Sequence, residues 1–296
     1  MELRVLKYFV IVAQQKNMTK AAQKLHITQP TLSRQIMQLE EELGCKLFRR
    51  RNHSIDLTEE GIILKKRAQD MINQEAQILE ELRSGCEEIA GKITIGSGET
   101  KNIESMMDVM AKFQKIHPMT QYELYTANAD DMKEKLDQGI VDFAILTEPV
   151  DVSKYKFIRC VQKEVWGVLV RSDSEMASKN KIRPRDLKNE PLIIVKRLSV
   201  QNELENWFGK YYDKMHIAAT YNLINNAATM VRHNIGVALC LEFNEIDHRL
   251  KFIPLYPEVK TGSVLVWRKN QTLSKVTDHF LEFYKKYVKG IIHDEE

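Results

Sequence analysis

Apolar residues at Leu3, Leu6, Phe9, Val10 and Ala13 recur at three- and four-residue steps, which predicts an amphipathic helix over residues 3 to 15. Asn17, Met18 and Thr19 interrupt it and offer cap side chains, and Ala21, Ala22 and Leu25 predict a second, short helix. His26-Ile27-Thr28 reads as a tight connection into a third helix. Thr28 can accept a hydrogen bond from that helix's free N–H groups. Pro30 falls in its first turn, where the missing N–H costs little. Leu32, Ile36 and Leu39 mark its inner face and Gly44 its end. Residues 46–57 place apolar ends around a basic, polar tip, the pattern of a short two-stranded wing. Thr58 then caps a long helix whose first turn holds Glu59 and Glu60, at the positive end of the helix dipole. It is expected to run to about residue 89. Leu64, Ala68, Met71, Ile78, Leu82 and Ile89 draw a narrow apolar seam along it, broken once by Glu75. Such a seam suits pairing with a second helix; packing on its own domain is the alternative.

Past Gly91 the pattern changes. Residues 92–96 read as a strand ending at a glycine, Met106, Met107, Met110 and Phe113 as a helix, 121–125 as an alternating strand, Asp131 to Gln138 as a helix, and 143–146 as a buried strand. This βαβαβ order argues for a parallel sheet. A second set follows, with strands at 165–170, 191–196, 218–223, 236–241 and 263–266, and helices at 200–211, 227–233 and about 273–289. With one chain crossing near 160–162 and a return near Trp267, the reading is two α/β lobes joined by two strands.

At 296 residues the chain has room for about two domains, and its 43% hydrophobic and 29% charged content is that of an ordinary soluble protein. No apolar run approaches the ~18 residues of a membrane span. Met1-Glu2-Leu3-Arg4 leads into no long apolar segment, so no secretory signal is expected and the expected location is cytoplasmic. Cys45, Cys86, Cys160 and Cys240 lie far apart, with no Cys-x-x-Cys, and read as reduced thiols rather than a metal site. The net charge of +3 conceals an asymmetry. Residues 1–67 hold 13 Lys and Arg against 7 Asp and Glu, whereas residues 68–90 hold one Arg against six acids. A basic head on a neutral body points to a polyanionic partner for the head.

The chemistry of the third helix fits such a partner. Ala22 permits close approach of two crossing helices, and Leu25, Ile27, Leu32 and Ile36 fill the space between them. Gln29, Pro30, Thr31, Ser33 and Arg34 are left near the helix N-terminus. Gln can pair with adenine, Arg with the two acceptors of guanine, and Pro can touch a thymine methyl. A helix N-terminus so furnished suits the major groove. Arg49, Arg50 and Arg51 add a phosphate grip.

The string Leu3-Arg4-x-Leu6-Lys7-Tyr8-Phe9, then Thr19-x-Ala21-Ala22-x-x-Leu25, then Thr28-Gln29-Pro30-Thr31-Leu32-Ser33-Arg34-Gln35-Ile36 resembles the LysR-type transcriptional regulators closely. Leu39-Glu40-x-Glu42-Leu43-Gly44, Leu47-Phe48-x-Arg50 and Leu57-Thr58-x-x-Gly61 extend the match. Gly91-Lys92-Ile93-Thr94-Ile95-Gly96, Asp142-Phe143-Ala144-Ile145 and Gly236-Val237-Ala238-Leu239 carry it, more weakly, along the remaining chain. The resemblance implies a winged helix-turn-helix DNA-binding domain (1–58), a linker and dimerisation helix (59–90), and an α/β effector-binding domain (91–296). It implies two Rossmann-like lobes like those of type 2 periplasmic binding proteins, lobe I at 91–161 and 267–296 and lobe II at 162–266. It further implies a homodimer or homotetramer on promoter inverted repeats, a small-molecule effector, and RNA polymerase as a further contact. DNA contacts are expected from Thr28, Gln29, Pro30, Thr31, Ser33, Arg34, Arg50, Arg51 and His53, the last where the family often has Arg. Effector contacts are expected from Ser97, Gly98, Glu99, Thr100, Asn128 and Ser199. Cys240-Leu241-Glu242 replaces a frequent Leu-Pro-Glu ending and alters one wall of the expected cleft.

Ligands of open α/β sheets sit beyond strand carboxyl ends, near helix N-termini. The helix after Lys101 is therefore expected to offer free N–H groups to an anionic group, with Glu99 available to a cationic one. A ligand with both signs or many hydroxyls would suit that loop. Gly96-Ser97-Gly98 is only part of a dinucleotide fingerprint, with Lys101 at the third glycine position, so no nicotinamide or other cofactor is expected. No Gly-x-Ser-x-Gly, His-Glu-x-x-His or phosphate-loop sequence is present, and no catalytic residue or metal ligand is assigned. The competing class is a solute-binding protein or enzyme working through residues 92–296, which would leave the basic head and seam without a role.

Overall fold

Three short helices open the chain, α1 (Leu3–Gln15), α2 (Met18–Lys24) and α3 (Gln29–Leu43). The structure is a computed structural model that describes residues 1–51, 54–83, 89–243, 247–269 and 271–294. Asn17 Oδ1 accepts the Lys20 N–H at 3.0 Å and starts α2. Thr28 Oγ1 faces the Thr31 N–H at 3.4 Å and starts α3, with Pro30 in its first turn. Gly44 ends α3 at φ +68°, a left-handed value that suits glycine. Leu6, Phe9, Val12, Ala21, Ala22, Leu32, Ile36 and Leu39 close the core among the three helices. Strands β1 (Phe48–Arg51) and β2 (Ser54–Leu57) pair antiparallel, Phe48 opposite Leu57, as the wing.

Helix α4 (Glu59–Arg83) follows without a break. Thr58 locks the junction: its hydroxyl donates to the Lys46 carbonyl at 2.7 Å and accepts the Gly61 N–H at 3.0 Å. The expected single seam is divided in the structure. Ala68 is fully buried in the head core, with Leu64 and Ile72 packed against it, so this part of α4 packs on its own domain. Glu75, the apparent interruption, faces α1 and forms an ion pair with Lys7. Met71 and Ile78 are exposed, together with Ile62, Ile63 and Leu79. The Leu82 side chain lies outside the described residues, and Ile89, expected in the helix, is not helical.

The α/β unit contains β3 (Gly91–Ser97), α5 (Asn102–Ile116), β4 (Thr120–Thr126), α6 (Ala129–Asp137), β5 (Phe143–Thr147) and β6 (Tyr155–Arg159). It continues through β7 (Glu164–Arg171), β8 (Pro191–Val195), α7 (Leu198–Phe208), β9 (His216–Tyr221), α8 (Ile224–Arg232) and β10 (Val237–Leu241). The last elements are β11 (Leu250–Pro254), β12 (Lys260–Thr261), β13 (Ser263–Arg268) and α9 (Lys275–Asp294). One sheet has the order β4-β3-β5-β13-β6 and the other β11-β7-β10-β8-β9, with β12 beside β7. Each is parallel from one edge to its middle, β4-β3-β5 and β10-β8-β9, and antiparallel over the rest. Ile93, Ile95, Phe113, Phe143 and Phe280 centre the core of the first lobe, and Val168, Leu192 and Leu239 that of the second.

The return crossing differs from the expected boundary at residue 267. Strand β13 pairs with β5 through Val264–Leu146 and with β6 through Val264–Arg159, so all of Ser263–Arg268 belongs to the first lobe. A four-residue apolar run states that a strand is buried but not which sheet it joins. The sheets are also not wholly parallel: β13 runs antiparallel to β5 and β7 to β10, and β6, β11 and β12 join as strands beyond those expected. β6 and β11 carry charged residues among their apolar ones, and β12 is only Lys260 and Thr261, as edge or short strands are.

Candidate functional site

The first candidate site is built on α3. Its apolar residues Leu32, Ile36 and Leu39 are consumed by the head core, which turns the other side outward. Thr28, Gln29, Pro30, Thr31 and Arg34 are exposed and Ser33 is half-buried. The exposed stretch is the N-terminal turn and the one after it, where a polar surface can meet base edges and phosphates. Arg49 is exposed on β1; the side chains of Arg50 and Arg51, and all of His53, lie outside the described residues.

Glu40 is a residue whose role sequence reasoning missed. It stands on the buried side of α3, where its carboxylate accepts the Leu47 N–H at 2.9 Å, the Phe48 N–H at 3.3 Å and the Lys46 ammonium at 2.7 Å. Burial alone would raise this carboxyl; the Lys46 bond and the two backbone donors outweigh it and hold the group below its ordinary value. A buried carboxylate thereby ties the wing to the reading helix. Glu40 in an otherwise apolar inner row was the available signal.

The second candidate site is a cavity of about 870 Å³ between the two lobes, of metabolite size. Trp166, Ile145, Val195, Tyr221 and Leu241 give it apolar walls, and Asp130, Asp131, Asp151, Lys133, Lys196 and Arg197 bring charge. The Tyr221 hydroxyl is already committed, donating to the Leu239 carbonyl at 2.8 Å, and so is the Trp166 Nε1–H, donating to Thr261 Oγ1 at 3.3 Å. Among the described residues no group of His, Cys, Asp and Glu could hold a metal ion.

Four expected effector residues line this cavity: Gly98, Glu99, Thr100 and Asn128. Ser97 is buried and does not line it, and its hydroxyl donates to the Gly98 carbonyl at 2.8 Å. Ser199 falls within α7, but its side chain lies outside the described residues. Three of the expected ligand-binding groups are engaged by the chain itself. The N-terminus of α5, expected to be free for an anion, is occupied by Glu164 from the other lobe. The Glu164 carboxylate accepts from the Lys101 N–H at 3.3 Å, the Asn102 N–H at 3.1 Å and the Asn102 side-chain amide at 2.5 Å. Burial raises its pKa, with the Asn102 bonds pulling the other way. The Thr100 hydroxyl stands near the same carboxylate but makes no hydrogen bond of good geometry. Glu99, expected to be available to a cation, instead accepts from the backbone and side-chain amides of Asn225, at 3.2 and 2.6 Å, in the first turn of α8. Asn128 Oδ1 accepts the N–H groups of Asp130 and Asp131, both at 3.0 Å, as the cap of α6. These pairings remove the basis for expecting a ligand of both signs at the Glu99–Lys101 loop.

A model described as the Bacterial regulatory helix-turn-helix protein, lysR family, matches residues 3–62, and the LysR substrate binding domain matches residues 87–289. The chain belongs to the LysR family. The HTH-type transcriptional regulator YybE of Bacillus subtilis is 27% identical over 96% of this chain and 98% of its own length. BsdA of the same organism is 27% identical over 96% of this chain and all of its own length. IlvY, a transcriptional activator of Salmonella typhimurium, is 29% identical over 82% of this chain and 83% of its own. The solved structure of full-length CbnR with its target DNA matches at TM-score 0.73 and 20% identity, covering 97% of this chain and 99% of that chain. Full-length OxyR from Pseudomonas aeruginosa matches at TM-score 0.64 and 20% identity, covering 97% of each. At such identities the structures speak for the fold: a helix-turn-helix head followed by a two-lobed α/β domain. This LysR-type protein is a DNA-binding transcriptional regulator with an effector-binding domain, and not an enzyme. Among the described residues no helix is long and apolar enough to cross a membrane.

Proposed function

We propose that this LysR-type regulator binds an interrupted inverted repeat in promoter DNA as a dimer or a tetramer, and that a small molecule in the inter-lobe cavity changes its grip. The observation that carries the reading is the exposed first two turns of α3, where Gln29, Pro30, Thr31 and Arg34 face outward from a helix whose opposite side is buried. Thr28 and Ser33 flank them, and Arg50, Arg51 and His53 of the wing complete the proposed contact surface. The exposed apolar residues of α4, Met71, Ile78 and Leu79, supply a face for a second copy. Two heads related by a two-fold axis read two half-sites on one side of the duplex. A tetramer would span two such sites, bend the DNA between them and alter contact with RNA polymerase. The proposed setting is the cytoplasm.

The cavity supports the sensing half. Gly98, Glu99, Thr100 and Asn128 remain the proposed polar contacts, with Ser97 and Ser199 beside them; Lys196 and Arg197 join them on the facing wall. A thermal-shift screen of metabolites on the full chain, followed by gel-shift titration with each hit, tests the reading. A compound that raises Tm is expected to change the mobility or affinity of the DNA complex. Binders that leave both unchanged would contradict it.

A further inference from the structure

Side chains from each lobe reach across the gap to the other. Near the crossing points buried Glu164, just after the first crossing, holds the α5 N-terminus, and beside it the half-buried pair Lys101 and Glu242 meets at 2.9 Å. Glu164 is 1% exposed, so its hold on α5 belongs to the permanent packing around the crossings. Two further bridges are different because they line the cavity itself. Glu99 of the first lobe takes the two amides of Asn225 on α8. Arg197 of the second lobe donates to the Thr147 carbonyl at 3.0 Å, at the end of β5, and to the Pro149 carbonyl at 2.5 Å, just past it.

We propose that Glu99 and Arg197 form a two-point latch that holds the two lobes of this chain together across the cleft. The two bridges leave different lobes, end on different elements, and span the same gap. Separating the lobes about the two crossings breaks both together, so their free energies act jointly on one opening equilibrium. Each uses a charged partner, Glu99 as acceptor and Arg197 as donor, and charge-assisted hydrogen bonds exceed neutral ones in strength. Neither is sealed from water: Glu99 and Arg197 are half-buried and Asn225 is exposed, so the latch can open without unfolding either lobe. On the reading of the cavity as the effector site, effector enters the unlatched fraction, and its apparent affinity is its intrinsic affinity reduced by that fraction. Latch strength then sets the concentration at which the regulator responds.

The latch itself is testable without effector, so its failure would leave the cavity reading standing. Hydrogen exchange of the full chain reads the Asn225 amide, held by Glu99, and the Asn102 amide, held by buried Glu164. In Glu99→Gln the Asn225 amide is expected to exchange roughly tenfold faster, the weight of one hydrogen bond to a charged group. The decisive variant is Arg197→Lys, with Arg197→Gln as its replacement should it fold poorly. Arg197 touches neither amide, yet Asn225 should again exchange several-fold faster while Asn102 keeps its wild-type rate. An Asn225 rate unchanged in the Arg197 variants, or a rise shared equally by Asn102, would overturn the proposal. So would an unchanged rate in Glu99→Gln, which would mean that the Glu99 bridge does not form in solution.

Discussion

Arg34 is exposed on α3 while Leu32 and Ile36 beside it are buried, so its side chain is free to act outside the head. Arg34→Ala should lower operator affinity by ~1–3 kcal/mol without changing assembly, as loss of a base or phosphate contact does. Fluorescence anisotropy at fixed salt measures it, and unchanged affinity would remove Arg34 from the interface. Residues of this kind were legible because a helix with a known inner face leaves its outer residues by subtraction. Glu99 was not: the sequence shows a polar loop after a strand, while the partner that occupies the carboxylate is 126 residues further on. Asp142 carries a second residue-scale effect. Its carboxylate accepts the Thr94 N–H at 2.8 Å and faces Gln271, Lys92 and Arg268. Burial pushes its pKa up to about 6, against the pull of the Thr94 N–H, Lys92 and Arg268. Between the ordinary value of 3.8 and about 6 the folded form binds the proton more tightly than the unfolded form. Stability should therefore fall as pH rises through that window, by a few kcal/mol at most, at ~1.4 kcal/mol per pKa unit. Asp142→Asn keeps the acceptor and removes the charge, so its urea midpoint should exceed wild type at pH 7.5 and flatten the slope between pH 4 and 6. An equal slope in both proteins would assign the pH response elsewhere.

At the scale of elements, the head was legible and the sheets only partly so. Helices α2 and α3 are bounded by Asn17, Thr28 and Gly44, each acting on backbone within a few residues, and such local signals survive in a sequence. The faces of α4 are set by a long-range partner. Leu64 and Ala68 belong to the head core, while Met71 and Ile78 on the same apparent seam do not. Strand β13 likewise finds its sheet through pairing with β5 and β6, about which its own residues are silent. The wing-to-α4 junction shows how tightly elements can be joined: a Cβ on Gly61 would lie 2.2 Å from the Leu47 carbonyl oxygen. Backbone must move to admit it, so Gly61→Ala should cost about 1–3 kcal/mol, the usual penalty of overpacking. Urea unfolding of the variant should show an earlier transition with wing and helix uncoupled from one another. A midpoint equal to wild type would mean that the junction yields without strain.

At the scale of the whole molecule, the account joins a reading head, a pairing helix and a sensing cleft. The pairing is tested on α4, where Ile78 is 50% exposed in the single chain and lies beyond the residues packed on the head. Ile78→Asp would place an unpaired charge in a helix pair, which is costly to bury. Sedimentation should show smaller species with the head still folded; an unchanged assembly would place the interface elsewhere. The central claim is that a paired copy of α3 reads sequence in two half-sites. Selection of duplexes from a randomised pool by the full chain tests it most directly. The account predicts that the retained duplexes share an interrupted inverted repeat, with half-site centres about one helical turn, or a multiple of it, apart. Retained duplexes without a common sequence, or with a single unrepeated site, would contradict it.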